Sequence, residues 1–375
     1  MSLWGRKTST RPSSKVATSP PNGLNLVSNP AEANIDIIAV HGLNPLSKPS
    51  HALSTWTADG KLWLRDFLPE RTPNARIFLY GYNSTVAFGT STAGVREQAE
   101  ALLDQIAKRR EHCKDRPIIF IAHSLGGIVV KRALVHAKSD KSYDDIFRST
   151  FGLVFFSTPH RGGNHAGAGD SIARLVRALA GNPENTYMKA LKGESIFSEI
   201  LADDFRQLLE QFRVLSFYET RPLGSFGIVV DKGSATLGLP GTREKQIPMD
   251  TDHRQICKFS SDEDPRYQQV ADSIVELMND AVTAHETAMN TLLSEQSGNT
   301  SRTKGSKNST SQAGKENRSN AVGNGNKISQ FGRSNSSEVH GEDNVTVQIE
   351  IGELEALQFA KMYLSNQVHS GTVTW

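Results

Sequence analysis

Ile118-Ile119-Phe120-Ile121-Ala122-His123-Ser124-Leu125-Gly126-Gly127 is the stretch on which the reading of this chain turns. Its unbroken apolar start predicts a strand buried on both faces, and the segment from Gly127 to Ala137 reads as a helix. A strand, a sharp turn and a helix lift the side chain at the turn above the sheet edge, and here that side chain is Ser124. A serine hydroxyl is a weak nucleophile at neutral pH. It needs a base within hydrogen-bond reach and donors aimed at the oxyanion that forms. The turn leaves the Leu125 N–H directed into the cleft as one such donor, while Gly126 and Gly127 let the helix pass close to the strand. Ala122 stands where a G-x-S-x-G motif has its first glycine. The extra methyl bears on the tilt of the serine, hence on efficiency more than on mechanism.

Working outward, Ile35-Asp36-Ile37-Ile38-Ala39-Val40 reads as a second buried strand and runs into His41-Gly42-Leu43-Asn44. A strand ending in His-Gly before a loop is where α/β hydrolases place the second oxyanion amide, which assigns that donor to Leu43. His41 precedes the serine in chain order and is read as a hydrogen-bonded loop residue. Downstream, the runs Phe151–Phe156, Val214–Glu219 and Gly227–Asp231 read as further strands. With the elbow strand counted as the fifth, Glu219 ends the seventh and Asp231 the eighth. Chain order serine, acid, histidine then selects His253 as general base, with Glu219 as its acid and Asp231 as the alternative. Histidine suits the role because its ordinary pKa, about 6.5, lets it take and return a proton near neutrality.

Several stretches together resemble one family: Val40-His41-Gly42-Leu43, Trp63-Leu64-Arg65-Asp66-Phe67-Leu68-Pro69, Tyr80-Gly81-Tyr82, the Ser124 turn, Ser157-Thr158-Pro159-His160-Arg161-Gly162-Gly163, Phe217-Tyr218-Glu219, and His253 followed by Ile256-Cys257-Lys258. From Ile35 to about Val282 the chain resembles the fungal lipase-like α/β hydrolases of SesB type, related to the serine active site containing protein family. The resemblance implies a mostly parallel sheet with helices on both faces, and a serine hydrolase or acyltransferase acting on lipids or other esters. It supports Ser124, Glu219 and His253 position by position. The loop His160–Gly163 is read as structural, lining the cleft.

Composition agrees. A chain of 375 residues with 37% hydrophobic content can build one such domain plus extra segments, and a net charge of +2 gives no reason to invoke nucleic acid. Cys113 and Cys257 have no C-x-x-C spacing, so neither a disulfide framework nor a zinc site is expected, and no cofactor or metal is called for. No apolar run approaches the roughly 18 residues needed to span a bilayer. A cytoplasmic protein is the expectation, with a mitochondrial or peripheral membrane association as the alternative suggested by the basic, serine-rich start.

Four regions are expected: a disordered leader (1–30), the hydrolase domain (31–293), a disordered polar linker (294–344) and a short C-terminal motif (345–375). Within the domain, Val95, Ala99, Leu102 and Ile106 form a core stripe of a crossover helix, and the stretch from Asn164 to Phe212 supplies a helical, lid-like insertion that would favour an acyl substrate. The linker is dominated by Ser, Asn, Gly, Thr and Lys and lacks the apolar surface to offset chain entropy. Val345-Thr346-Val347-Gln348-Ile349-Glu350-Ile351-Gly352 alternates strictly, a strand that gains burial by stacking on copies of itself or of a partner. With Asn335–Val339 before it, this tail resembles the amyloid signalling motifs of fungal heterokaryon-incompatibility proteins. That resemblance implies self-assembly or a receptor partner through 345–375, and a role in immunity or cell-death signalling.

Overall fold

The computed structural model describes residues 22–43, 50–84, 92–160, 177–178, 204–295, 300–313, 318–331 and 335–349. The lid-like insertion therefore lies mostly outside the described residues, as do 1–21 and 350–375. Two compact units divide the chain, Met1–Val282 and Thr283–Trp375.

The first unit is built on a seven-stranded sheet. Its strands are β1 (Gly23–Ser28), β2 (Ile35–Val40), β5 (Ala75–Gly81), β6 (Ile118–His123), β7 (Thr150–Phe156), β8 (Arg213–Glu219) and β9 (Glu244–Met249); β3 (Thr57–Ala58) and β4 (Lys61–Leu62) form a small separate hairpin. The spatial order is β1-β5-β2-β6-β7-β8-β9, parallel throughout except for β1, which pairs antiparallel with β5. Crossover helices α1 (Thr92–Arg109) and α2 (Gly126–Ser139), the short α3 (Asp144–Ser149), α4 (Lys232–Ala235) and the long α5 (Pro265–Glu295) accompany it. This is the α/β-hydrolase arrangement.

Period-two alternation divides each strand between two apolar clusters. Ile38, Val40, Phe120 and Ala122 pack with Val95, Ala99, Leu102 and Ile106 of α1 and Val129, Val130 and Ala133 of α2. Ile37, Ala39, Ile119 and Ile121 face the other way, onto Trp56, Trp63 and Tyr267, Val270 and Ile274 of α5. Burial on both faces explains why β2 and β6 read as largely apolar runs rather than as alternating ones, with Asp36 of β2 buried in an ion pair with Arg76.

Two expectations differ from the structure. The leader expected over 1–30 contains β1, an edge strand of which only Leu24 is buried. Gly227–Asp231 is not a strand: Gly227 has φ +70° and Asp231 caps α4 through its side chain, which accepts from Ser234 N. The strand beyond β8 is instead β9, Glu244-Lys245-Gln246-Ile247-Pro248-Met249, whose charged and proline residues hide it from a hydrophobicity reading. Pro248 is tolerated because β9 is the edge of the sheet, where a missing N–H breaks no inner ladder.

Among the described residues of the second unit there are six short strands, five in the polar stretch read as a linker, β10 (Thr300–Lys304), β11 (Ser309–Ala313), β12 (Arg318–Val322), β13 (Lys327–Phe331) and β14 (Ser336–His340), and β15 (Val345–Ile349) in the C-terminal motif. They form two three-stranded parallel sheets, β10-β12-β14 and β11-β13-β15. Composition conceals them because backbone ladders and stacked polar side chains, rather than a broad apolar face, hold them together.

Candidate active site

The turn after β6 is tied down before any chemistry is considered. Ser124 N donates to Phe156 O at 2.9 Å, and Gly127 N donates back to Ser124 O at 3.1 Å. Ser124 sits at φ 54°, in the left-handed region that non-glycine residues seldom occupy, and is fully buried. Its neighbours are close: a methyl on Gly126 would lie 2.4 Å from His41 O, and one on Gly42 would lie 2.8 Å from Ser124 Cβ. Those two glycines bring the end of β2 against the serine.

Around it the sheet ends converge. Ser124 Oγ lies 3.0 Å from His253 Nε2, and His253 Nδ1 lies 2.6 Å from Glu219 Oε2, with both histidine and glutamate side chains wholly buried. The carboxylate can only accept, so Nδ1 carries the proton and Nε2 is the free base facing the hydroxyl. The other oxygen of Glu219 accepts from Val229 N at 2.6 Å and Val230 N at 3.0 Å. The run mistaken for a strand thus turns its backbone donors onto the acid. Burial alone would raise the Glu219 pKa, but the His253 charge and hydrogen bond and the backbone donors hold it below the usual glutamate value.

The structure does not bring Asp231 to His253; both of its carboxylate oxygens serve Ser234, at 3.0 Å to N and 3.2 Å to Oγ. Leu43 and Leu125 are both buried, at the end of β2 and at the turn into α2. Among the described residues neither main-chain N–H has an acceptor.

Sequence reasoning missed three supports. His123 Nε2–H donates to His253 O at 3.1 Å, so the residue before the serine holds the backbone that carries the imidazole. Ser157, itself at φ 44°, accepts through Oγ from Glu219 N at 3.3 Å. Tyr82 stacks on His41 with ring centroids 4.4 Å apart and donates through its N–H to His41 Nε2 at 3.2 Å. His41 must then carry its proton on Nδ1, which lies 2.8 Å from Gly42 O. Local adjacency in His-Ser and His-Gly was the only signal available for these bonds. His160 is buried in an edge-to-face contact with Phe155, 4.6 Å between ring centroids; Arg161–Gly163 lie outside the described residues.

Two buried histidines carry a pH prediction. Burial first, and the neighbouring His51 second, lower the His41 pKa to about 3, and burial followed by the His253 charge lowers that of His123 well below its ordinary value. Both are neutral in the fold, while the unfolded chain takes up a proton on each below about pH 6.5. The unfolded state therefore binds more protons, and stability falls as pH drops below that point by about 1.4 kcal/mol per pH unit per histidine. Thermal unfolding followed from pH 7 to pH 4 is expected to show this decline, reduced in His41→Gln.

Residues 37–169 match a family model described as "Putative serine esterase (DUF676)". Among curated proteins the chain is similar to Protein SERAC1 of Danio rerio, 30% identical over 251 residues covering 60% of this chain and 36% of that protein. It is likewise similar to Protein SERAC1 of Homo sapiens, 28% identical over 225 residues, covering 58% and 33%. The chain thus spans about a third of the length of the curated relatives it matches. Among solved structures it is similar to the mature Bacillus licheniformis lipase BlEst2, with 17% identity, a TM-score of 0.43 and coverage of 68% of this chain and 99% of that one. A Rhizomucor miehei esterase matches at 12% identity and a TM-score of 0.44, covering 68% and 77%. The stretch that matches the family model contains Ser124 and Leu43, whereas Glu219 and His253 lie beyond it.

Proposed function

We propose that this protein is a serine esterase or lipase-like hydrolase of lipid-type esters, with Ser124 as nucleophile, His253 as general base and Glu219 as the acid that orients the His253 imidazole and stabilises its cation. The observation that carries the reading is the continuous chain of contacts from Ser124 Oγ through His253 to Glu219, at 3.0 and 2.6 Å. In the first step His253 Nε2 takes the hydroxyl proton as Oγ bonds to the ester carbonyl carbon, and the carbonyl oxygen becomes an oxyanion facing the N–H groups of Leu43 and Leu125. As the carbonyl re-forms, the leaving alkoxide takes the proton from Nε2 and departs, leaving an acyl-serine. Water or an alcohol then repeats the sequence in reverse. Asp231 is the weaker candidate acid because its carboxylate is committed to Ser234.

A fluorophosphonate probe tests the reading directly. The expected result is one labelled serine in the full chain, mapped by proteolysis to the peptide containing Ser124. An unlabelled protein, including after it has been clustered, would favour instead an interaction protein on a hydrolase fold that does not turn over.

The oxyanion assignment has its own consequence. The Gly42 carbonyl is held by His41 Nδ1–H, and in a trans peptide the next N–H, that of Leu43, points the opposite way. His41→Ala frees that peptide to rotate and is expected to lower kcat on a short-chain ester about 10- to 100-fold with little change in KM. Loss in KM alone would remove Leu43 from the site.

The C-terminal segment 345–375 is read as a surface for self-assembly or for a receptor in immunity or cell-death signalling. Its described part, β15, lies at a sheet edge with Val345 51% exposed.

A further inference from the structure

The strands of the second unit repeat with a fixed period. Thr300 pairs with Arg318 and Arg318 with Ser336; Ser309 pairs with Lys327 and Lys327 with Val345, every pairing parallel and 18 residues apart. Each 18-residue turn of chain therefore contributes one strand to each sheet, and three turns stack as rungs. Written in register, the rungs share Ser301, Ser319 and Ser337, Gly305, Gly323 and Gly341, Asn308, Asn326 and Asn344, and Gln312, Gln330 and Gln348. This is an internal repeat that polar composition masks.

Geometry repeats with it. Gly305, Gly323 and Gly341 have φ of +124°, +126° and +123°, and a methyl on Gly323 or Gly341 would meet the carbonyl of the glycine one rung before at 2.3 or 2.5 Å. The asparagines form a ladder: Asn308 N donates to Asn326 Oδ1 at 3.0 Å, and Asn326 N donates to Asn344 Oδ1 at 2.7 Å. Between the two sheets of the middle rung, Gln330 Nε2 donates to Ser319 Oγ at 3.1 Å beside the buried Ala321 and Ile328. A rung is thus a template for a rung.

Among the described residues of this unit no further strand pairs with the outer strands at either end of the stack, and the two ends differ in charge. The strands at one end, β10 and β11, belong to the stretch Thr300–Ala313, which carries Arg302, Lys304 and Lys307 and no acid, net +3. At the other end, β14 and β15 belong to Ser336–Ile349, which carries Glu338, Glu342 and Asp343 and no Lys or Arg, net −3 with His340 neutral. On each outer rung the side-chain amide, that of Asn308 or of Asn344, is buried with no partner among the described residues, while that of Asn326 in the middle donates to Gly323 O at 2.9 Å.

We infer that the acidic end of this stack docks the basic end of a second copy of the same chain, continuing the 18-residue register across the contact. In that register Glu338 falls on Arg302 and Asp343 on Lys307 of the next copy, and the Asn344 N–H meets the next Asn308 Oδ1. Opposite charges directly across paired strands favour this order and disfavour like ends meeting. The two ends are different surfaces, so the contact is head to tail and leaves a free end after each addition, which produces open filaments rather than closed dimers. The inference deepens the self-assembly part of the function proposed above. It shifts the assembling unit from 345–375 to the whole of 300–349, and it does not depend on the chemistry at Ser124.

Cross-linking of the full chain tests it. In a Cys113→Ser background, Cys257 is buried and its thiol is pushed up to about 12, so it does not compete. Lys304→Cys and His340→Cys are made in separate chains and mixed under mild oxidation. Across the docked rungs the two positions adjoin at about 4.8 Å, within disulfide reach, whereas within one copy they are two rungs, about 9.6 Å, apart. A disulfide dimer from the mixture and monomer from either chain alone is the expected result. No dimer from the mixture, or equal yield from a single chain, overturns the register. In parallel, Glu338→Lys with Asp343→Lys is expected to lower the sedimenting fraction of the full chain about tenfold, and adding Arg302→Glu with Lys307→Glu to restore it. If Val347→Pro abolishes assembly while the charge exchanges leave it unchanged, the last strand assembles alone and rung stacking is wrong. If no variant or wild type sediments, the assembly reading fails as a whole, and probe labelling at Ser124 still reports on the hydrolase.

Discussion

Replacing Ser124 with alanine is expected to lower kcat by about a millionfold on any ester the wild type turns over, leaving the modest catalysis that the oxyanion donors and binding retain. The reason lies in the division of labour at the site. With Oγ gone, His253 Nε2 has no hydroxyl to deprotonate, and water is not held at the same distance. Ser124→Gly separates chemistry from strain. At φ 54° both serine and alanine carry the cost of a left-handed backbone that glycine does not. The glycine variant is therefore expected to be as inactive as the alanine variant yet more stable, by about 0.5 to 2 kcal/mol, as read by denaturant unfolding. An active Ser124→Ala enzyme would sink the nucleophile assignment; equal stability of the two variants would remove the strain argument alone.

Glu219→Gln is the second large effect, expected to lower kcat about ten-thousandfold. The present carboxylate accepts on both oxygens, from His253 Nδ1–H and from the Val229 and Val230 N–H groups. A glutamine has one accepting oxygen. If that oxygen faces the two backbone donors, its NH2 faces Nδ1 and forces the proton onto Nε2, the wrong tautomer for a base. If it faces the histidine, the NH2 confronts two N–H groups in a buried pocket, which destabilises the fold. Asp231→Asn is expected to leave kcat within about twofold, because asparagine caps a helix as well as aspartate does. Activity lost in Asp231→Asn and kept in Glu219→Gln would transfer the acid role. A pH signature accompanies the substitution. The folded pKa of Glu219 lies below its ordinary value, so its contribution to stability is complete above the unfolded value and is lost as pH falls through the folded one. That acid-side loss is expected to be absent from the glutamine variant.

The legibility of the fold followed burial. Strands β2, β6 and β7 are enclosed on both faces, so their sequences are apolar over most of their length, Asp36 of β2 being paired with Arg76, and the turn after β6 is legible in the sequence. Strand β9 has an exposed outer edge and keeps Glu244 for a polar task, accepting from Ser216 Oγ at 2.6 Å and from the N–H groups of Leu237, Gly238 and Leu239. Its pattern consequently reads as loop, and the apolar Gly227–Val230 took its place in the strand count. The strands of the second unit are hidden for a related reason: their cohesion comes from identical polar residues recurring every 18 positions, which carry no apolar signature.

Residue type and order along the chain determined by themselves that a serine at a strand-to-helix turn would be followed by an acid and then a histidine, because buried strands and tight turns leave local signatures that need no partner to be seen. Only the tertiary structure decided which carboxylate meets His253, since Glu219 and Asp231 are equally plausible by order and differ solely in where their neighbours' backbone donors point. It also decided that His123 and Ser157 brace the site and that three weakly alike segments stack in register. Such contacts join residues distant in sequence, and their energy exists only once the chain has closed the loops between them.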